Sequence, residues 1–246
     1  MENKNKKTLI IILSGILLFV AAFIFIFKFD FKNKNVLSLE ENKWIDENKY
    51  NMVDIAILND IPILSDEGEG IIYDYLDYVT ENHSLNFNVV TYKLDFNVEY
   101  DYQMDIVDMV SKNDIEVFKD NLVLLTVNDI QYTDVSEVNN LRIGVLSLDK
   151  ENIESYIGNN ITYVEYDSYS DLRNSIVNSK MAIENGESSY DVDAIILSRI
   201  VATKEIIENE LNVAYHFNDL NKYFVIKANG NKELNSILKK SFNSGF

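Results

Sequence analysis

The sequence predicts an α/β protein built as two lobes, and three observations carry that expectation. From Leu141 to Ala202, three short β-rich apolar runs (Ile143–Leu146, Ile161–Tyr166 and Ala194–Leu197) alternate with helical patterns. Strand, helix, strand, helix, strand in series implies parallel pairing through right-handed crossovers. The segment from Val53 to Tyr92 repeats this logic upstream. With 246 residues, 47% of them hydrophobic, the chain can bury one large core or two small ones.

Composition narrows the function. Lysine and arginine total 22 against 40 acids, a formal net charge of −18. Nucleic acid binding needs clustered cations, so that partner class is set aside. The balance leans toward neutral or cationic ligands, although a solvated acidic surface explains it as well. The absence of cysteine removes disulfides, thiol catalysis, thiolate metal sites and a lipid-modified cysteine anchor.

Residues 1–28 read as a cytoplasmic N-terminus and a membrane anchor. Thr8 to Phe27 is apolar and uncharged, long enough to cross ~30 Å of hydrocarbon as a helix. Lys4, Lys6 and Lys7 precede it and favour a cytoplasmic start. Ala21-Ala22 is followed by Phe-Ile-Phe-Ile-Phe rather than a small-residue cleavage site, so an uncleaved signal anchor is expected. The protein is then single-pass in the cell membrane, with its C-terminal domain extracytoplasmic. Residues 29–49, charged and asparagine-rich, read as a linker. Trp44 is expected to pack on the folded domain, which begins near Tyr50 and folds without the anchor.

In chain order, Val53–Leu58 is a buried strand, and Asn59–Gly70 is the loop that follows. Ile71–Asn82 is a helix with Ile72, Leu76 and Val79 on one face. Phe87–Tyr92, Ile106–Val110 and Asn121–Val127 read as further strands. Asp149 is a good N-cap for a helix through Ile153 and Ile157. Ser168, with Asp171 three residues on, starts a helix that buries Leu172 and Ile176. Tyr223–Lys227 is a strand, and Asn231–Phe242 is a closing helix with Leu234, Ile237 and Leu238 inward.

No phosphate loop, nucleophile elbow or dinucleotide glycine pattern appears, so no enzyme and no cofactor are expected. The acidic loop Asp66–Gly70 lacks the ligand alternation of a calcium loop and reads as a flexible turn. His83 and His216 lack the spacing of a zinc pair, so no metal is expected.

The order VDIAIL, NDIPI, GEG and IIYDYLDYVTENHSLNFNVVTY resembles the first lobe of the bacterial extracellular solute-binding proteins, family 3, which have the type II periplasmic-binding fold. DVSEVNNLRIGVL resembles the family's entry to lobe two. YDSYSDLRNSIVNSK with YDVDAIILSRIVA resembles its second-lobe helix and strand, and YFVIKANGNKELNSILKKSF its returning strand and last helix. The resemblance implies residues 50–128 and 220–246 as lobe 1 and 129–219 as lobe 2. The crossings are expected near Val127–Val135 and Phe217–Tyr223.

The resemblance also implies a ligand cleft between the lobes. Family members that bind amino acids clamp the α-carboxylate with an arginine after the third strand of lobe one. This chain has no arginine before Arg142 and offers only Ser111 and Lys112 there. The aspartate that holds the ammonium group is replaced by Ser198, followed by Arg199. Both halves of the clamp are missing, and lysine lacks the bidentate fork of arginine. The cleft candidates are Asp60 and Ile61, Ser111 and Lys112, Ser147 and Asp149, and Ser198 and Arg199. Each can equally be an ordinary cap or surface residue.

Two functions follow. One is a membrane-anchored domain that senses or captures a small solute, with sensing preferred because the anchor is a helix, and with a signalling or transporter partner. The other is an interaction or structural module of the same fold that has lost small-molecule binding.

Overall fold

The structure, a computed structural model, describes residues 36–158 and 160–244. Its strands are β1 (Met52–Leu58), β2 (Asn86–Tyr92), β3 (Tyr102–Val107), β4 (Ile115–Thr126), β5 (Arg142–Leu146), β6 (Thr162–Tyr166), β7 (Ala194–Ser198) and β8 (Asn212–Ala228). The helices are α1 (Leu39–Asn48), α2 (Ile71–His83), α3 (Lys150–Ile157), α4 (Tyr169–Glu184), α5 (Arg199–Glu208) and α6 (Lys232–Asn243). The strands form one sheet in the order β2-β1-β3-β8-β4-β7-β5-β6. Within it β2, β1 and β3 are parallel neighbours, as are β7, β5 and β6, and β8 and β4 run antiparallel between the two sets.

The second lobe is a three-layer sandwich, and β4 shows why. Leu122 and Leu124 point to one face, where Ile153 of α3 and Phe217 pack. Val123 and Leu125 point to the other, against Leu172 and Ile176 of α4 and Ala202 of α5. A strand buried on both faces must read as a continuous apolar run, which is how Asn121–Val127 stood out. Lobe one gathers Ile55, Ile57, Tyr75, Val79, Phe224 and Ile226 with Leu234 and Leu238 of α6.

The crossings between lobes lie inside strands. Along β4, Asn121 pairs with Asn221 of β8, but the next residue, Leu122, pairs with Phe217. The intervening residues of β8 bulge out, held by the Asn121 amide donating to the Asn218 carbonyl at 2.8 Å. The first crossing is therefore at Asn121–Leu122, upstream of Val127–Val135. β4 runs from one core, at Ile115 to Phe118, through polar Lys119–Asn121 into the other, at Leu122 and Leu124, with no connecting loop.

The segment expected as a linker contains α1. A capping box of Ser38 and Glu41 starts this helix. Glu41 then receives the Lys240 ammonium of α6 at 2.7 Å, and Trp44 and Ile45 pack on the lobe-one core. Few apolar residues mark it in sequence because an ion pair does much of the docking. A chain starting at Tyr50 is expected to be about 3 kcal/mol less stable to urea than one starting at Val36. A difference below about 1 kcal/mol would make α1 an appendage.

The segment Thr8–Phe27 lies outside the described residues. Among the described residues, no helix is long and apolar enough to cross a membrane.

Candidate functional site

Between the lobes lies a cavity of about 460 Å³, within the range of small-molecule sites. Its lobe-two wall is made by residues at and just after the C-terminal ends of β5, β6 and β7: Ser147 to Asp149, Asp167 and Tyr169, and Ser198 with Val201. Lobe one contributes Leu94 to Asn97, between β2 and β3, together with Ile106 of β3. Strand ends in open α/β sheets collect ligands because helix N-termini and adaptable loops converge there.

Three helices of lobe two start at this wall, and their donors are satisfied differently. At α4, Asp95 reaches across from lobe one and accepts from the Tyr169 and Ser170 amides at 2.6 and 3.1 Å, and from the Ser170 hydroxyl. Ser168 supplies the intrahelical cap by accepting from the Asp171 amide at 3.0 Å. At α5, the fully buried Asp120 of β4 accepts from the Ile200 amide at 2.7 Å. That carboxylate stands in for the serine cap, and Ser198 makes no cap bond. The Ser198 hydroxyl is instead buried without a partner, in a residue only 7% exposed that lines the cavity. At α3, Asp149 occupies the N-cap position but makes no cap bond either. Its side chain turns to Lys222 of β8.

Lys222 sits where β8 passes between lobes, and it bridges them. It pairs with Asp149 of lobe two and with Asp108, just after β3 in lobe one, the latter at 2.6 Å. Burial pushes the Asp149 carboxyl up, and Lys222 offsets that only in part. Burial works against the Lys222 ammonium too, but Asp149 and Asp108 outweigh it and raise its pKa. Asn152 adds a further cross-lobe bond to Asp108 at 3.3 Å.

The structure brings three of the candidate residues, Ser147, Asp149 and Ser198, into this cavity. Asp60 lies at a neighbouring opening with Lys93, 3.7 Å away. The other four lie elsewhere. Ile61 is fully buried among lobe-one core residues, because Pro62 and the tight turn to Ser65 fold it back under β1. Ser111 and Lys112 sit in the short connection from β3 to β4. The Ser111 amide donates to Asp114 at 2.7 Å, and the Lys112 carbonyl accepts from Lys239 of α6 at 3.0 Å. Arg199 pairs with Asp120 at 3.4 Å and is not among the residues lining the cavity.

Sequence reasoning missed Asp95, Asp167, Tyr169 and Lys222. Asp167 directly follows β6 and Asp95 lies three residues past β2, so the strand-end rule applied to those two strands would have found both. No sequence signal marks Lys222, whose role depends on two lobes meeting.

The interlobe role of Asp95 is open to test. Asp95→Ala is expected to destabilise the chain by about 1–3 kcal/mol and to increase the radius of gyration measured by X-ray scattering. An unchanged radius would mean that other contacts hold the lobes.

No protein-family model matches the sequence, and no curated protein sequence matches it. Solved structures do. The periplasmic VFT2 domain of Bordetella pertussis BvgS aligns over 86% of this chain and 94% of its own length, with a TM-score of 0.63 at 15% identity. The substrate-binding protein AbpA of an amino acid transporter from Streptococcus pneumoniae, bound to L-arginine, aligns over 82% of this chain and 90% of its own, with a TM-score of 0.55 at 14% identity. Holo ArgBP from T. maritima aligns over 82% and 92%, with a TM-score of 0.51 at 13% identity. The chain has the two-lobed α/β fold of periplasmic solute-binding domains.

Proposed function

We propose that the chain is an extracytoplasmic solute-binding domain that holds a small molecule in the inter-lobe cleft and catalyses no reaction. The observation that carries this reading is the cavity itself, with the unpartnered Ser198 hydroxyl buried in its wall. A buried hydroxyl left without a partner costs about 1–3 kcal/mol, a cost that a ligand hydrogen bond removes. The structural neighbours, among them a periplasmic domain and an arginine-bound substrate-binding protein, support the same reading. In this proposal Thr8–Phe27 anchors the domain to the cell membrane, and the domain serves as a sensor, with a transporter-associated receptor as the other role.

A panel of amino acids, peptides, sugars and amines, added to the full chain during thermal unfolding, tests the reading. A ligand at 100 times its dissociation constant should add about 2.7 kcal/mol of stability. Silence across the panel would favour the second reading, an interaction module. That alternative rests on one observation: Asp95 already bridges the lobes with the protein's own carboxylate.

A further inference from the structure

The charges around the cleft disfavour a ligand carboxylate. Asp95, Asp149 and Asp167 line it, and Lys222 is the only lysine or arginine among the lining residues. That lysine is shared between Asp149 and Asp108. The helix N-termini that would otherwise attract an anion are already served by carboxylates of the chain, α4 by Asp95 and α5 by Asp120. At the third, α3, Asp149 makes no cap bond, but its carboxylate lines the cavity with that of Asp167 and repels an anion there. The nearby arginines are also engaged, Arg199 with Asp120 at 3.4 Å and Arg173 with Glu205 at 2.8 Å.

What the cleft does offer is apolar surface and acceptors. Leu94, Ile106, Leu122 and Leu197 form its walls. Phe96 and Leu148, which also line it, are 64% and 90% exposed, so large apolar side chains from opposite lobes await a cover. The Ser147 hydroxyl donates to Asp167 at 2.8 Å and so joins the β5 and β6 ends. Asp149, two residues after Ser147, and the unpartnered Ser198 hydroxyl complete a wall rich in acceptors.

We infer that the ligand is a small organic amine: a cationic ammonium head held by Asp149, Asp167 and Ser198, with an apolar body against the leucines and Phe96. This rests on the solute-binding reading and names its ligand class. An ammonium in a partly dry cleft needs carboxylate acceptors, which are present. A carboxylate needs paired, directed donors, and the lining residues offer it the Ser198 hydroxyl and a lysine already shared between two aspartates.

The test is calorimetric titration of the full chain with four probes that share one phenyl body: 2-phenylethylamine, 2-phenylethanol, phenylalanine and 3-phenylpropionate. The amine should bind at least tenfold tighter than the alcohol and at least a hundredfold tighter than either carboxylate. Asp167→Asn, at an exposed position, should weaken the amine about tenfold and leave the alcohol unchanged. Phenylalanine or phenylpropionate binding as tightly as the amine would overturn the inference, as would an amine affinity that both Asp167→Asn and Asp149→Asn leave intact. If none of the four binds but an amino acid, peptide or sugar of the panel does, the amine class fails and the solute-binding reading stands, whereas a panel amine that binds and is weakened by Asp167→Asn supports the class. If nothing in the panel binds, both fail.

Discussion

Replacing Lys222 by methionine is expected to cost about 3–5 kcal/mol of stability at pH 7, because it leaves a buried carboxylate without its counter-charge. Lys222 and Asp149 are both largely buried, and the lysine also holds Asp108 across the lobe boundary. The pH dependence gives the prediction a second edge. Burial already holds the Asp149 carboxyl above its ordinary value, and losing the ammonium pushes it further up. Between the unfolded value of about 3.9 and the raised folded value, the native chain binds more protons than the unfolded one, so stability falls as pH rises through that window. The variant should therefore be worst at neutral pH and recover toward wild type as acid protonates Asp149. In the wild type the raised Lys222 value works at the other end of the scale. Its contribution is full below the ordinary lysine range and is lost as pH rises through the folded value. Urea unfolding at pH 7 and pH 5 measures the first effect. A loss below about 1 kcal/mol at pH 7, or an equal loss at both pH values, would refute the coupling.

Gly70→Ala is the second substitution expected to act strongly, at about 3 kcal/mol or more. Gly70 precedes α2 with φ of 110°, a backbone conformation that L side chains rarely adopt. A Cβ there would stand 2.7 Å from the Ile63 carbonyl oxygen and 2.8 Å from that of Leu64. Those carbonyls cannot yield, since they accept from the Ile71 and Ile72 amides at 3.0 Å and so cap the helix. Gly68→Ala is the control, with φ of 90° and nothing within 4 Å of its Cβ, and should cost only about 1 kcal/mol. Equal losses from the two would show that the close approach carries no weight.

Gly70 also marks the limit of what the sequence made legible. Ile55–Leu58 and Ala194–Leu197 stood out because burial on both faces requires unbroken apolar runs, whereas β2, a half-buried edge strand, showed only a β-rich run over Phe87–Tyr92. The turn Asp66–Gly70 read as flexible, yet the whole loop Asn59–Gly70 is built. Ile61 and Leu64 are fully buried, and two pairs of bridging residues close its turns. Its order comes from backbone carbonyls and one glycine, which no side-chain pattern announces. β8 was visible only over Tyr223–Lys227. Its other half, Asn212–Leu220, mixes polar residues with apolar ones as it passes through the bulge beside Asn121. In the cleft, Ser147, Asp149 and Ser198 were legible because each follows a recognisable strand. Asp95, three residues past β2, lay within reach of the same rule but was missed, and Lys222 was not legible, since its function lies in contacts made between lobes.

Residue-resolved hydrogen exchange on the full chain, with and without a saturating ligand from the thermal panel, tests the central claim most directly. Added protection is expected at residues 94–97 of lobe one and at residues 146–149 and 197–201 on the lobe-two wall opposite. No comparable change is expected in α2 on lobe one. Ligand-dependent protection confined to segments outside the cleft would contradict it.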